Sequence, residues 1–226
     1  MAPGHPKEPF WYALSQRHRD ELHRAGTVRS YPAGDVIVRE QETSDFAIIV
    51  LDGCVRVSTQ SVGGYQTILG LRDAGDLVGE LAGIDGRPRS ATLSALTAVD
   101  ALNVPAAAFR GFLRTFPDAA AIMHRTVSAR LRESDQHRAA AGAETTPQRL
   151  AGLLLYLGGR YGVTLDTGGV LIELPLSQED LAGLILASQR TVGRLLEHLR
   201  ERKIIVTGRR SILLLDLAAL DELATG

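Results

Sequence analysis

"VGELAGIDGRPRSATL" (residues 78–93) places glycines, arginines, a glutamate and a serine between two short apolar runs. Gly79 lets the backbone approach a ligand closely, and "ELAGI" predicts one helical turn whose N–H groups favour an anion. Arg89 offers a fork of donors for two phosphate oxygens. Ser90 adds a hydroxyl, whereas the Glu80 carboxylate accepts hydrogen bonds and suits sugar hydroxyls. The stretch therefore has the parts of an anion-binding loop.

Side chains suited to one phosphate, beside a carboxylate suited to a sugar, together predict a nucleotide with few charges, such as a cyclic monophosphate. A triphosphate site would be expected to contain a lysine and a metal. The alternative is a surface turn held by an ion pair between Arg89 and Glu80. These residues alone favour neither interpretation.

The surrounding sequence, from about Thr27 to Val104, predicts a β domain. Short runs rich in Val, Ile and Leu are separated every eight to twelve residues by turn signals: "YPAGD", "LDG", "VGGY", "RDAGD" and "IDGRP". Many short strands at this spacing indicate an antiparallel sandwich or jelly roll. Within it, "DFAIIVLDGCVRVSTQ" predicts a hairpin around Asp52-Gly53.

Composition excludes several classes of protein. The 226 residues allow one large or two ordinary domains. The net charge of −1 gives no overall positive field that would point to a nucleic-acid partner, so a basic patch would have to be local. The single cysteine, Cys54, excludes an internal disulfide and a cysteine-rich metal site, and we expect it to be buried in a strand. No apolar run approaches 18 residues, and the N-terminus lacks a signal-peptide core. We therefore expect a cytoplasmic protein without a membrane segment.

Helices are predicted on both sides of the β domain. "LSQRHRDELHRAG" predicts a short helix capped by Ser15 and ended by Gly26, after a frayed N-terminal tip. A long helix is predicted from Pro117 to about Ala141. Its seam of a and d positions, which we call the dimer seam, comprises Ala120, His124, Val127, Leu131 and Ser134, two of which are polar. This seam fits either an intermolecular coiled coil or a helix packed on its own domain. "AAAGAETTPQ" (residues 139–148) then predicts a hinge, with Gly142 as helix stop.

The last third predicts a winged helix-turn-helix. "QRLAGLLLYLGGRYG" indicates an amphipathic helix ending at Gly158-Gly159. "SQEDLAGLILASQRTVGRLLEHLRERKII" indicates two helices, capped by Ser177 and Ser188, and the start of a strand. "IIVTGRRSILLLD" indicates a hairpin around Gly208. The second helix of such a motif enters the major groove of DNA.

Charge becomes local in this last segment. Residues 188–210 contain seven basic and two acidic side chains, a local charge of +5 in a chain whose total is −1. A solvated helix face is the plain alternative, but we favour DNA binding. Arginine pairs with guanine and glutamine with adenine in the major groove, so the predicted base readers are Gln189, Arg190 and Arg194. Phosphate contacts are predicted for Ser188, Thr191, Arg209 and Arg210.

From about Tyr31 to Asp216 the chain resembles the cyclic AMP receptor protein family, the Crp/Fnr regulators. The matching stretches are "YPAGDVIVREQ", "AGDLVGELAG", "PRSATL", "FRGFLRTFPD" and "SQEDLAGLILASQRTVGRLLEHL". The "GEL…PRSAT" cassette is also similar to the cyclic-nucleotide-binding domains of eukaryotic kinases and channels.

The resemblance implies a role for each cassette residue. Glu80 would bond the ribose 2′-hydroxyl, and Arg89 and Ser90 the cyclic phosphate, joined by backbone N–H groups near Gly79 and Leu81. Residues near the purine would be Ser134 and Asp135. The effector would be cyclic AMP, with cyclic GMP as the alternative, and no metal is implied. The family's behaviour further implies a homodimer that binds a near-palindromic DNA site and contacts RNA polymerase.

The sequence departs from the family pattern at three places, and each departure changes what the resemblance implies about the ligand, the helix-turn-helix or the DNA site. Asp135 is acidic where a hydroxyl residue is usual, so the resemblance leaves the identity of the base open. The alternative, which we favour, is that Asp135 points to solvent or pairs with an arginine such as Arg132 or Arg138. Leu186 replaces the glycine of the helix-turn-helix turn, and a positive φ there would store roughly a kcal/mol of strain. Gln189 and Arg190 replace the usual Arg-Glu, so a different DNA site is expected.

Rival functions have less support. A cupin-type metalloenzyme needs clustered histidines, and no catalytic triad or carboxylate pair stands out. No histidine lies in the β region; the six are His5, His18, His23, His124, His137 and His198. We therefore expect no catalytic site. A ligand-independent regulator with a vestigial pocket shares every other feature and stays open.

The sequence thus predicts an α+β regulator with three segments. Residues 1–116 would form the jelly-roll nucleotide domain, 117–142 the dimerisation helix and hinge, and 143–226 the DNA-binding domain.

Overall fold

The computed structural model describes residues 8–60, 66–166 and 168–226. The chain forms two compact units, an N-terminal unit up to Arg132 and a C-terminal unit from Glu133 onward. The mixture of helices and strands confirms the α+β class. Two predicted features, the frayed tip (residues 1–7) and the "VGGY" turn (residues 62–65), lie outside the described residues.

The N-terminal unit starts with short helices, continues with strands and ends in a helix. Its elements are α1 (Phe10–Ala13), α2 (Gln16–Ala25), β1 (Thr27–Tyr31), β2 (Val36–Val38), β3 (Phe46–Asp52), β4 (Cys54–Gln60), β5 (Gln66–Asp73), β6 (Leu77–Val78), α3 (Glu80–Asp85), β7 (Thr92–Ala95), β8 (Val99–Pro105) and α4 (Ala106–Thr115). The helix α5 (Pro117–Ala143) follows and continues into the C-terminal unit. The predicted long helix is confirmed.

Two antiparallel sheets form the β-roll. Their strand orders are β1-β8-β3-β6 and β2-β7-β4-β5. Inward-facing side chains from both sheets, such as Ile48 and Val50 on β3 and Val55 on β4, form one buried cluster. This is the arrangement that alternating apolar strands of a sandwich produce. Cys54 is buried in β4, as predicted.

The predicted hairpin around Asp52-Gly53 is wrong. β3 pairs with β6 and β8, whereas β4 pairs with β5 and β7, so the chain passes from one sheet to the other at this turn. Gly53 has φ +84°, and a Cβ there would stand 2.0 Å from the carbonyl oxygen of Ala98. The glycine therefore marks a tight corner between sheets and not a strand-pairing turn.

The predicted first and last cap residues of the helix α2 are confirmed. The Ser15 hydroxyl accepts a hydrogen bond from the His18 backbone N–H at 3.3 Å. The helix α2 ends at Gly26, which is extended.

The long helix α5 has two neighbouring stripes. Ala119, Met123 and Thr126 are buried, and the side chain of Arg130 is 15% exposed, so this stripe packs on the N-terminal unit. The dimer seam lies one residue further along each turn, and its Leu131 is 61% exposed. Ala120 and Val127 of the seam are half-buried, whereas His124, Leu131 and Ser134 are exposed, so the seam contributes less than its neighbouring stripe to packing on the N-terminal unit.

The predicted hinge is shorter than expected. α5 continues through Gly142 to Ala143, and α6 (Thr146–Tyr161) begins three residues later. The Glu144 N–H still donates to the Ala140 carbonyl at 2.8 Å, so the helical bonding runs past the glycine. A helix tolerates an interior glycine at a cost of about 1 kcal/mol.

The C-terminal unit contains the predicted winged helix-turn-helix. After α6 come β9 (Gly162–Thr164), β10 (Val170–Ile172), α7 (Gln178–Leu184), α8 (Gln189–Glu201), β11 (Ile205–Gly208), β12 (Ser211–Leu214) and α9 (Leu217–Thr225). The strands form one sheet in the order β11-β12-β10-β9. α6 does not stop at Gly158-Gly159 as predicted. A Cβ at Gly158 would stand 2.8 Å from Leu214 Cδ1, so this glycine serves close helix–strand packing.

The turn between α7 and α8 holds the predicted strained residue. Leu186 has φ +53°, and its side chain is 50% exposed. A branched side chain in the left-handed region costs about 1–2 kcal/mol, whereas glycine adopts it freely.

Leu186→Gly should therefore raise the free energy of unfolding of the C-terminal unit by up to about 1 kcal/mol, after the extra unfolded-state entropy of glycine is subtracted. Urea unfolding of the full chain measures it. The neighbouring Ala187→Gly is the control, because it adds the same entropy without relieving a positive φ, and it should destabilise. If both variants destabilise equally, the turn is not strained.

No helix among the described residues is long and apolar enough to cross a membrane.

Candidate functional site

The cassette is built around two glycines that flank α3. Gly79 precedes the helix with φ +66° and Gly86 follows it with φ +70°, so the predicted single turn at "ELAGI" is confirmed as the six-residue helix α3. A Cβ at Gly79 would stand 2.5 Å from Arg89 Nη1. Glycine is therefore needed here both for its backbone conformation and for the approach of the arginine.

Arg89 is buried with 2% exposure, an unusual state for an arginine. Its Nε donates to the Ser44 hydroxyl, Nη1 to the Gly79 carbonyl and Nη2 to the Phe46 carbonyl, each at 2.8 Å. The guanidinium also packs against the Phe46 ring, 4.7 Å from its centroid. The sequence predicted the arginine but not these acceptors.

The Arg89 guanidinium donates its hydrogen bonds to neutral groups. Burial lowers the pKa of Arg89, while the charges of Glu42, Asp45 and Glu80 oppose that shift. Among the described residues no carboxylate oxygen lies within 4.0 Å of its nitrogens; the recorded partners are a hydroxyl, two carbonyls and an aromatic ring. A buried cation that is hydrogen-bonded by neutral groups favours the binding of an anion beside it.

Glu80 is also buried, with 6% exposure, and its partner is Arg130 on α5. Arg130 Nη1 donates to Glu80 Oε1 at 3.1 Å, and Nη2 donates to the Leu77 carbonyl at 2.5 Å. Asp76 Oδ1 lies 3.7 Å from Nη2. The alternative of a surface turn held by an Arg89–Glu80 pair is therefore wrong. Arg130 also neutralises the carboxylate that would otherwise repel a phosphate.

Sequence reasoning missed Arg130, although a signal was present. The stripe Ala119, Met123, Thr126, Arg130 repeats at spacings of four, three and four residues. It competes with the dimer seam one residue away, and an arginine at the end of an otherwise uncharged stripe indicates a buried partner.

A cavity of about 180 Å³ lies against the cassette. Its lining includes all the predicted cassette residues, Gly79, Glu80, Leu81, Arg89 and Ser90, together with Arg130. Apolar lining is supplied by Val57, Leu69, Val78, Ala82, Ala91 and Leu93, and a further arginine is Arg72. The structure therefore places the residues predicted to bind phosphate and the residue predicted to bind ribose around one cavity.

The predicted base contacts are not part of this group. Neither Ser134 nor Asp135 is among the described residues that line the cavity. Both are exposed and belong to the C-terminal unit. Asp135 pairs with Arg138, one of the two alternatives that the sequence offered. Their role toward a purine stays a prediction.

The second candidate site is the helix α8. The Ser188 hydroxyl accepts from the Thr191 N–H at 3.1 Å, which confirms the predicted cap. Val192, Leu196 and Leu199 are buried. The predicted base readers Gln189, Arg190 and Arg194 are all exposed. Arg190 and Arg194 lie on the side of the helix away from this apolar stripe, whereas Gln189 is exposed at the first turn.

The wing is the hairpin of β11 and β12. Gly208 pairs with Ser211, so the predicted phosphate contacts Arg209 and Arg210 form its two-residue turn, and both are exposed. Arg200 Nη1 on α8 donates to Thr207 Oγ1 on β11 at 3.1 Å. This bond links the helix α8 to the wing. Arg209 and Arg210 lie beyond it, at the tip of the hairpin.

Comparisons with known proteins match both the N-terminal and the C-terminal part of the chain. The family profile "Cyclic nucleotide-binding domain" matches residues 28–116, and "Crp-like helix-turn-helix domain" matches residues 148–223. A "CRP-like cAMP-activated global transcriptional regulator" of Mycobacterium tuberculosis is 28% identical over 186 residues, which cover 82% of this chain and 83% of that protein. The "Cyclic AMP receptor protein" of Thermus thermophilus is 29% identical over 218 residues, covering 96% and 97%.

Solved structures show the same fold. A Crp/Fnr family regulator of Thermus thermophilus superposes with a TM-score of 0.73 at 27% identity, covering 88% of this chain and 99% of that one. The c-di-GMP responsive global regulator CLP of Xanthomonas campestris superposes with a TM-score of 0.78 at 19% identity, covering 88% and 99%.

Fold, sites and comparisons together define a DNA-binding transcription regulator that joins a cyclic nucleotide-binding domain to a helix-turn-helix domain. The chain belongs to the Crp/Fnr family.

Proposed function

We propose that a cyclic nucleotide bound at the cassette controls DNA binding by this regulator. The observation that carries the proposal is Arg89, a buried cation on the cavity wall whose recorded partners are all uncharged. Such a group fits an anion, and the neighbouring Glu80 carboxylate fits hydroxyl groups. A cyclic nucleotide carries both.

The residues divide the ligand between them. Arg89 and Ser90 would hold the phosphate, with backbone N–H groups near Gly79 and Leu81, and Glu80 the ribose hydroxyl. Ser134 and Asp135 would lie near the base. The names of the relatives favour cyclic AMP, with cyclic GMP as the alternative.

The DNA-binding half follows from α8 and the wing. Gln189, Arg190 and Arg194 would contact base edges, and the phosphate contacts would come from Ser188, Thr191, Arg209 and Arg210. A homodimer would read two half-sites of a near-palindrome, about 10–10.5 bp apart or a multiple of it. We assign residues 1–116 to nucleotide binding, 117–142 to dimerisation and 143–226 to DNA binding. A cytoplasmic location and a contact with RNA polymerase follow from this role.

Binding selection on random duplex, with and without cyclic AMP or cyclic GMP, tests the proposal. Either cyclic AMP or cyclic GMP should raise the affinity of the protein for the selected duplex. The duplex sequence that is selected should be the same with and without this nucleotide. Specific DNA binding that neither nucleotide alters would establish the ligand-independent regulator with a vestigial pocket.

Two variants in that selection separate the predicted base contacts from the phosphate contacts. Arg194→Ala should cost roughly 1–3 kcal/mol and relax preference at one base pair per half-site. Arg209→Ala should weaken binding to all sequences alike. It should also flatten the dependence on salt, because DNA binding with one phosphate contact fewer releases fewer counterions. Affinities at two salt concentrations measure both effects. If both variants keep wild-type affinity and preference, α8 and the wing are not the DNA-binding surface.

A further inference from the structure

Arg89 is held by three acceptors, and a side chain supplies just one of them. The Gly79 and Phe46 acceptors are backbone carbonyls, which substitution does not remove. Among the described residues, Ser44 is the only side chain that hydrogen-bonds to Arg89, through its hydroxyl at 2.8 Å from Nε. Ser44 lies between β2 and β3, far in sequence from the cassette.

The three bonds fix the plane of the guanidinium. They occupy one N–H on each of its three nitrogens, and the Phe46 ring packs against one face. A guanidinium has five N–H groups in a fixed planar fork. One N–H on each terminal nitrogen is therefore left for a phosphate oxygen, and its direction depends on how the plane is held.

We propose that Ser44 is a positioning residue for the ligand phosphate, because its hydroxyl holds Nε and thereby aims the remaining N–H groups of Arg89 at the cavity. This inference rests on the proposed function. Without the hydroxyl, Nε–H would be buried without an acceptor, and the guanidinium would rotate to find one. The two-pronged geometry that makes arginine suitable for phosphate would then be lost.

Ser44→Thr and Ser44→Val are the matched test, because they have nearly the same shape and differ in the hydroxyl. The probe is whichever of cyclic AMP and cyclic GMP binds the full-length wild type more tightly, measured by calorimetry. Ser44→Val should bind about tenfold more weakly than wild type, and Ser44→Thr within about twofold. Thr43→Val, at the exposed neighbouring position, should bind like wild type.

An Arg89→Lys background separates positioning from a general structural effect. Lysine has no Nε–H for Ser44 to accept, so Ser44→Val should there cost less than about twofold. A tenfold loss that persists in this background would overturn positioning, as would equal losses in Ser44→Thr and Ser44→Val. If wild type binds a nucleotide and Ser44→Val binds equally well, the inference fails alone. If wild type binds neither nucleotide, the proposed function fails as well.

Discussion

Arg89→Ala should reduce the affinity for a cyclic nucleotide by roughly 30- to 5,000-fold, the equivalent of about 2–5 kcal/mol for loss of one partner of a buried charged hydrogen bond. The effect should be large because Arg89 is buried at the cavity and donates its hydrogen bonds to a hydroxyl and two carbonyls, which carry no charge. Arg130, which also lines the cavity, is already paired with Glu80. Calorimetric titration with cyclic AMP and cyclic GMP measures the loss.

The substitution also removes hydrogen bonds that hold the fold, so a structural control is needed. Arg110 on α4 is matched, because its Nη1 donates to the Gly83 carbonyl of α3 at 2.7 Å but its side chain is not among the cavity-lining residues. Arg110→Ala should lower thermal stability and leave nucleotide affinity near wild type. Equal loss of affinity in both variants would show that the cassette needs only its shape and that Arg89 does not contact the phosphate.

Features with a local cause could be predicted from the sequence. Ser15, Ser177 and Ser188 cap helices because a hydroxyl bonds an N–H three residues away, which neighbouring residues decide. Gly79 allows the close approach of Arg89, and Leu186 has a positive φ at the turn position where the family usually has glycine. The cassette residues face one cavity because a short loop brings them together.

Features that depend on distant packing could not be predicted in the same way. Asp52-Gly53 has the composition of a hairpin turn, but which strands pair is decided by the closure of the two sheets. Gly158 has the composition of a helix stop, but the close approach of Leu214 decides its role. Arg130 was missed because two stripes of α5 compete at nearly equal spacing, and only the position of the β-roll shows which of them is buried.

Leu131→Glu should convert the protein from a dimer to a monomer. We propose that two copies of α5 pair in parallel through the dimer seam, with Val127 and Leu131 at its centre. The seam lies about 100° around α5 from the stripe that packs on the N-terminal unit. Its central leucine, Leu131, is 61% exposed, so a single chain leaves this side chain uncovered. Glutamate at this position would place two like charges face to face at the apolar centre of the seam. Sedimentation measures the change, and affinity for a two-half-site duplex should fall steeply, because linked half-sites are no longer bound together.

The exposure of Leu131 makes this a clean test, since replacing an exposed side chain leaves the core of the chain intact. Gln136→Glu is the control, because it introduces the same charge on the exposed surface of α5 but about 140° around the helix from Leu131, at 3.6 residues per turn. That variant should remain dimeric and bind DNA like wild type. A monomeric Leu131→Glu that still binds a single half-site would confirm that the recognition helix works independently of the seam. An unchanged dimer would place the interface on another surface of the chain, and the exposed leucine would then need a different partner.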